Sequence, residues 1–159
     1  MRVILTPGVA NTTTAKENGY KHDNSSSSYS TNQDDDFTFK FTESGGLTAR
    51  YFLLSFDSKT NTLTSSTDIS GSNLSHKPVP DSERQELKEE ITKNDFFNYK
   101  VDYPPEKEDD PGLVAYSLVV TIGDKTHTTA WTKNSKGIPD GITKIVDAIR
   151  RIAAKENVV

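Results

Sequence analysis

Five isoleucines near the end of the chain, Ile138, Ile142, Ile145, Ile149 and Ile152, recur at spacings of 4, 3, 4 and 3 residues. An α-helix turns once in about 3.6 residues, so this rhythm holds all five on one face as a continuous apolar stripe. A stripe of that length is stable only when it lies against another apolar surface, and the rest of the chain has to supply one. Pro139 suits the first helical position. Arg150, Arg151 and Lys155 suit the last turns, where positive charge meets the negative end of the helix dipole.

Strands supply that surface. Phe37, Phe39 and Phe41 alternate with Thr38, Lys40 and Thr42, a period of two that sets three rings on one face of a strand and leaves the other face wet. Leu47 to Phe56 reads as a second strand, most apolar at Tyr51-Phe52-Leu53-Leu54, and Ser44-Gly45-Gly46 reads as the turn between the two. Asp57-Ser58-Lys59-Thr60 is a turn into a short strand near Asn61 to Ser65. Leu113 to Trp131 is a hairpin about Gly123-Asp124. A two-residue turn there pairs Ile122 with Lys125, Val120 with His127, Leu118 with Thr129 and Tyr116 with Trp131.

Ser66 to Pro80 has no period and reads as a loop. Asp81 and Ser82 are N-cap candidates, and Ser82 with Gln85 has capping-box spacing, which predicts a helix to about Asn94 with Leu87 and Ile91 as a thin buried stripe. Phe96, Phe97 and Tyr99 anchor its exit. Tyr103 to Gly112, with Pro104, Pro105, Pro111 and the acids Glu106, Glu108, Asp109 and Asp110, reads as an exposed loop. The order of elements predicts an α+β fold: an antiparallel β-sheet of about four to five strands with two helices packed on one face.

Of the 159 residues only 32% are hydrophobic and the mean hydropathy is −0.67, low for a chain packed throughout. The deficit sits at the start: Asn11 to Asp36 is mostly Ser, Thr, Asn, Asp and Lys, with an acidic triplet at Asp34-Asp35-Asp36. Such a stretch buries too little to offset about 1 to 2 kcal/mol per residue of backbone ordering. Residues 1–35 are therefore expected to be a disordered tail ahead of a single α+β domain at 36–157. A net charge of −4, with Lys and Arg scattered among acids, disfavours nucleic acid as a partner. Met1 to Leu5 is too short an apolar run for a signal peptide, and no run approaches a membrane span. The absence of cysteine excludes disulfides, thiolate metal sites and a Cys nucleophile, and fits a reducing cytoplasm.

Residues suited to catalysis are sparse. His22, His76 and His127 fall in the tail, a loop and a strand, none on a helix where a second ligand one turn away would share a metal. Asp109-Asp110 is an adjacent pair in a Pro-rich loop, a setting in which carboxylates are usually hydrated. P-loop, GxSxG and GxGxxG motifs do not occur. The expectation is a binding protein that is not an enzyme and takes no cofactor or metal.

Phe39-Lys40-Phe41-Thr42-Glu43-Ser44-Gly45-Gly46-Leu47 resembles the opening strand and Ser-Gly-Gly turn of the emfourin family, small protein inhibitors of thermolysin-like metalloproteases. Leu87 to Ile91 followed by Asp95-Phe96-Phe97 is similar to that family's helix and Phe-Phe pair. Asp110, Tyr116 to Val120, Gly123, Thr126-His127-Thr128, Pro139 and the Ile145 to Ile152 helix resemble its second half. The resemblance runs from Phe37 to Ile152. The tail and the segments at 57–80 and 103–112 exceed it. It implies occlusion of a protease cleft by a rigid loop; the expected contact segment is Glu43, Ser44, Gly45, Gly46 and Leu47, where by residue type Glu43 would approach the catalytic zinc as a carboxylate and Leu47 fill an apolar subsite, and the free protein is expected to be a monomer. The alternative expectation is a non-inhibitory interaction or accessory domain that meets its partner through the acidic tail.

Overall fold

The computed structural model describes residues 36–158; the tail expected at 1–35, with His22, lies outside the described residues. Seven strands and two helices follow in the order β1 (Phe37–Gly45), β2 (Arg50–Asp57), β3 (Thr62–Ser66), β4 (Leu74–Pro78), α1 (Asp81–Lys93), β5 (Asp102–Tyr103), β6 (Val114–Ile122), β7 (Lys125–Thr132) and α2 (Asp140–Lys155), with a single 3-10 turn at Phe96–Asn98 after α1. The strands lie in one sheet in the order β4-β3-β2-β1-β6-β7-β5. The fold is α+β.

Two features correct the expected sheet. It has seven strands rather than four to five, and it is mixed, because β5 runs parallel to β7 while the other neighbours are antiparallel. The additional strands lie at the two edges. β4 falls within the segment expected to be loop and pairs with β3 from Thr62↔Pro78 to Ser66↔Leu74. An edge strand needs a partner on one side only, and Leu74, His76, Lys77 and Pro78 are exposed, so no buried face prints a period on its sequence. β5 is two residues long, and its Tyr103, expected in an exposed loop, is buried.

β1 is the centre of the sheet, with Phe41 opposite Leu54 of β2 and Leu118 of β6. Phe37, Phe39 and Phe56 pack ring against ring at centroid distances of 5.6 to 6.3 Å. The β6–β7 register is the one expected from a Gly123-Asp124 turn, Tyr116↔Trp131 included, and those two rings stack at 5.5 Å. Over this face lies α2, whose Ile142, Ile145, Ile149 and Ile152 are all buried, with Ile138 partly so. Beside it α1 contributes Leu87 and Ile91 to the same core. The opposite face, Thr38, Lys40 and Thr42 on β1, stays exposed or half-exposed.

The helix ends depart from expectation in one respect. Pro80 caps α1 with no side-chain bond from Asp81 or Ser82; its carbonyl accepts from the Glu83 and Arg84 amides at 3.0 and 3.1 Å. At the other end of the chain α2 closes in a Schellman turn. Asn157 takes φ 54°, its amide donates to Ala154 O at 3.2 Å and the Val158 amide to Ala153 O at 3.0 Å. Val158 is buried, and its carbonyl accepts a hydrogen bond from the Ser65 hydroxyl of β3. The basic residues at the end of α2 do more than meet its dipole: Arg151 pairs with Glu86 at 2.6 Å and Lys155 with Glu83 at 2.9 Å, both on α1. Among the described residues no helix is long and apolar enough to cross a membrane.

Candidate functional site

The Ser44-Gly45-Gly46 segment straddles the end of β1. Ser44 and Gly45 are still strand, Gly45 pairing with Arg50 on one side and Val114 on the other. The turn itself is Gly46–Ala49, and β2 starts at Arg50 rather than Leu47. The tip therefore sits two residues later than the glycine pair suggests. The two glycines have separate physical causes. Gly45 has φ 102°, and a Cβ there would stand 2.5 Å from the carbonyl oxygen of Leu113, an approach that only glycine permits. Gly46 has φ 76° and donates its amide to that same carbonyl at 2.8 Å, while the Ala49 amide closes the turn on Gly46 O at 3.0 Å. The base of the turn is thus tied to the backbone just before β6. Leu47 projects from it with 84% of its surface exposed.

Glu43 lies at the foot of the same turn, on the helix-facing side of β1. Its carboxylate accepts from the Arg150 guanidinium at 2.8 Å, with only 20% of the Glu43 side chain exposed. Arg150 in turn lies over the Phe41 ring, 5.6 Å from its centroid. The structure thus holds Glu43 on α2 rather than free at the tip. Five residues expected as one contact segment divide into three roles: Glu43 as a brace, Ser44 and Gly45 as strand, and Gly46 and Leu47 as turn.

A second projection stands beside the first. β3 ends at Ser66 opposite Leu53, so the β3–β4 connection leaves the sheet at the same end as the β1–β2 turn. Asp68 organises it. The Asp68 carboxylate accepts the Ser70 amide at 2.9 Å and the hydroxyls of Ser70 and Ser72. Those bonds, Ser70 first, lower its pKa from 3.8 to about 2. The Ser66 hydroxyl donates to Asp68 O at 2.8 Å. Ile69 stands out from this stapled loop with 83% of its surface exposed. Between the two projections lies an open groove of about 860 Å³, with Ala49, Tyr51 and Phe52 along one wall, Asp68 and Ile69 along the other, and Arg50 and Arg150 among its lining.

Ile69 was not legible as a site residue because Ser66 to Pro80 lacks any period. The usable signal was narrower: an acid followed at the second and fourth positions by serines, Asp68-x-Ser70-x-Ser72, is the composition of a self-bonded loop, and an isoleucine inside one has no core to reach. The remaining candidates are not brought together. His76 lies on edge strand β4, bonded to the Thr64 hydroxyl at 3.0 Å. His127 lies at the other side of the sheet, on the core face of β7, opposite Val120 and edge-on to Phe96 at 5.4 Å. Asp110 accepts the Gly112 amide within its own turn at 2.8 Å. Among the described residues no group of three or more His, Asp or Glu side chains is placed to hold a metal.

No protein-family model matches this chain, and no curated protein matches it in sequence.

Proposed function

We propose that this protein is an emfourin-like inhibitor of thermolysin-like zinc metalloproteases and that it acts by occluding the substrate cleft with the β1–β2 turn. The observation that carries the reading is Leu47: a large apolar side chain, 84% exposed, at the tip of a turn whose base is fixed by the Gly46–Leu113 hydrogen bond. A tip ordered before binding loses little conformational freedom on docking, so more of its contact energy appears as affinity. Full burial of a leucine contributes about 1.5 to 3 kcal/mol. On this reading Leu47 fills an apolar subsite, Gly46 and its neighbours offer backbone to the cleft, and Glu43 braces the turn through Arg150. The chain itself performs no chemistry.

The test is a titration of the full chain against a thermolysin-type protease, with peptide hydrolysis as the readout. Inhibition at micromolar protein is expected. The Leu47→Asp variant should weaken it about 10- to 100-fold, the effect of removing one central apolar anchor, with the urea unfolding midpoint nearly unchanged because Leu47 is 84% exposed in the free protein. Unchanged hydrolysis, or digestion of the intact protein, refutes the proposal.

A further inference from the structure

The β3–β4 loop has the attributes of a second contact element. Its tip residue Ile69 is as exposed as Leu47, 83% against 84%, so two large apolar side chains stand in water at the same end of the sheet, on either side of one groove. It is ordered by the bonds that Asp68 receives from Ser70 and Ser72, so it too is set before binding. It borders the same groove as Thr48 and Ala49, the residues that follow Leu47.

The charges along that groove indicate what it accepts. Glu43 and Arg150 satisfy each other. The Asp68 carboxylate already receives three donors from its own loop. Arg50 is left as the charged lining residue whose guanidinium, among the described residues, has no hydrogen-bonded or ion-paired partner. An apolar-tipped cleft with one unpaired guanidinium is complementary to a segment that carries a carboxylate beside apolar surface, since a guanidinium binds a carboxylate through two parallel N–H bonds.

We infer that Ile69 and Arg50 form a second anchor for the same partner as Leu47, so that the protein grips with two loops and receives between them an acidic, partly apolar segment of the partner's cleft rim. The inference rests on the proposed inhibitory function and adds to it the second loop and the chemistry of the surface it meets. Two anchors on one rigid sheet end engage together, and the second then binds without a further loss of translational freedom.

Inhibition constants for the full-length wild type and the Leu47→Asp, Ile69→Asp and Arg50→Glu variants against the same thermolysin-type protease test this. Ile69→Asp should weaken inhibition about 10- to 100-fold, as loss of a large buried apolar contact does. Arg50→Glu should weaken it at least as much at low salt, with the gap to wild type narrowing as ionic strength rises. Far-UV circular dichroism checks that the variants stay folded, and both positions are exposed. If wild type inhibits, Leu47→Asp weakens inhibition and Ile69→Asp inhibits like wild type, the second anchor is wrong and the β1–β2 turn acts alone. If wild type does not inhibit, the proposed function falls and the second anchor falls with it.

Discussion

Replacing Gly45 by alanine should damage the fold far more than the same change at its neighbour Gly46. At Gly45 the added Cβ meets the Leu113 carbonyl oxygen at 2.5 Å. That oxygen belongs to backbone, so it cannot swing aside as a side chain would, and it also accepts the Gly46 amide at 2.8 Å. Relieving such a contact costs about 1 to 3 kcal/mol, the positive φ about 1 to 2 kcal/mol for an L-residue, and a strained hydrogen bond up to about 1 kcal/mol more. The expected loss for Gly45→Ala is therefore about 2 to 6 kcal/mol. At Gly46 the new Cβ would sit 3.4 Å from a Val114 methyl, an ordinary contact, and only the φ term remains, about 1 to 2 kcal/mol. Urea unfolding followed by the fluorescence of Trp131, the one tryptophan of the chain and largely buried, reads the difference. With a urea dependence of about 1 to 3 kcal/mol per molar, Gly45→Ala should lower the midpoint by about 1 M or more and Gly46→Ala by less. Equal midpoints for the two variants, or a larger loss at Gly46, would refute the assignment of Gly45 to close backbone approach. The result also governs how inhibition data are read, because a Gly45 variant that loses inhibition reports unfolding of the turn's base and not loss of a contact.

Two further outcomes follow from the geometry. Gly141→Ala should destabilise the protein by about 1 to 2 kcal/mol although alanine favours helices by nearly 1 kcal/mol, because a Cβ there falls onto the Tyr99 hydroxyl and within 2.9 Å of Asn94 Cβ; a rise in melting temperature would contradict the close packing of α2 on the end of α1. Asp68 has a folded-state pKa lowered to about 2 from an ordinary 3.8, so the stapling of the β3–β4 loop is fully present above the ordinary value and is lost as pH falls through about 2. Carboxyl carbon NMR should place its titration there and a Ser70→Ala, Ser72→Ala double variant should return it toward the usual carboxylate range; titration of the wild type at the ordinary value would remove the staple.

The interior of the fold was written in periodic signals. Phe37, Phe39 and Phe41 announce a strand with one dry face, the isoleucines of α2 announce the helix that covers it, and Gly123-Asp124 sets a hairpin register down to the Tyr116–Trp131 pair. These segments are legible because each buries one face, and burial selects residue type at every second or every third and fourth position. The edges carry no such record. β4 is held by backbone hydrogen bonds to β3 just before it and β5 by its pairing with β7 at Tyr103↔Trp131, and backbone pairing leaves little trace in side chains that face water.

The site divides in the same way. The chain alone determined that a turn follows β1 close to the glycine pair and that a large apolar residue comes next. Only the tertiary structure decided that Gly45 is needed for the approach of Leu113 rather than for the turn, that Glu43 is bound to Arg150 107 residues away, and that Ile69 stands beside the Leu47 turn. Local conformational preference and periodicity are properties of neighbouring residues. A clash with a distant carbonyl, an ion pair between a strand and the helix over it and the meeting of two loops at one sheet end depend on strand order, which no window of sequence contains.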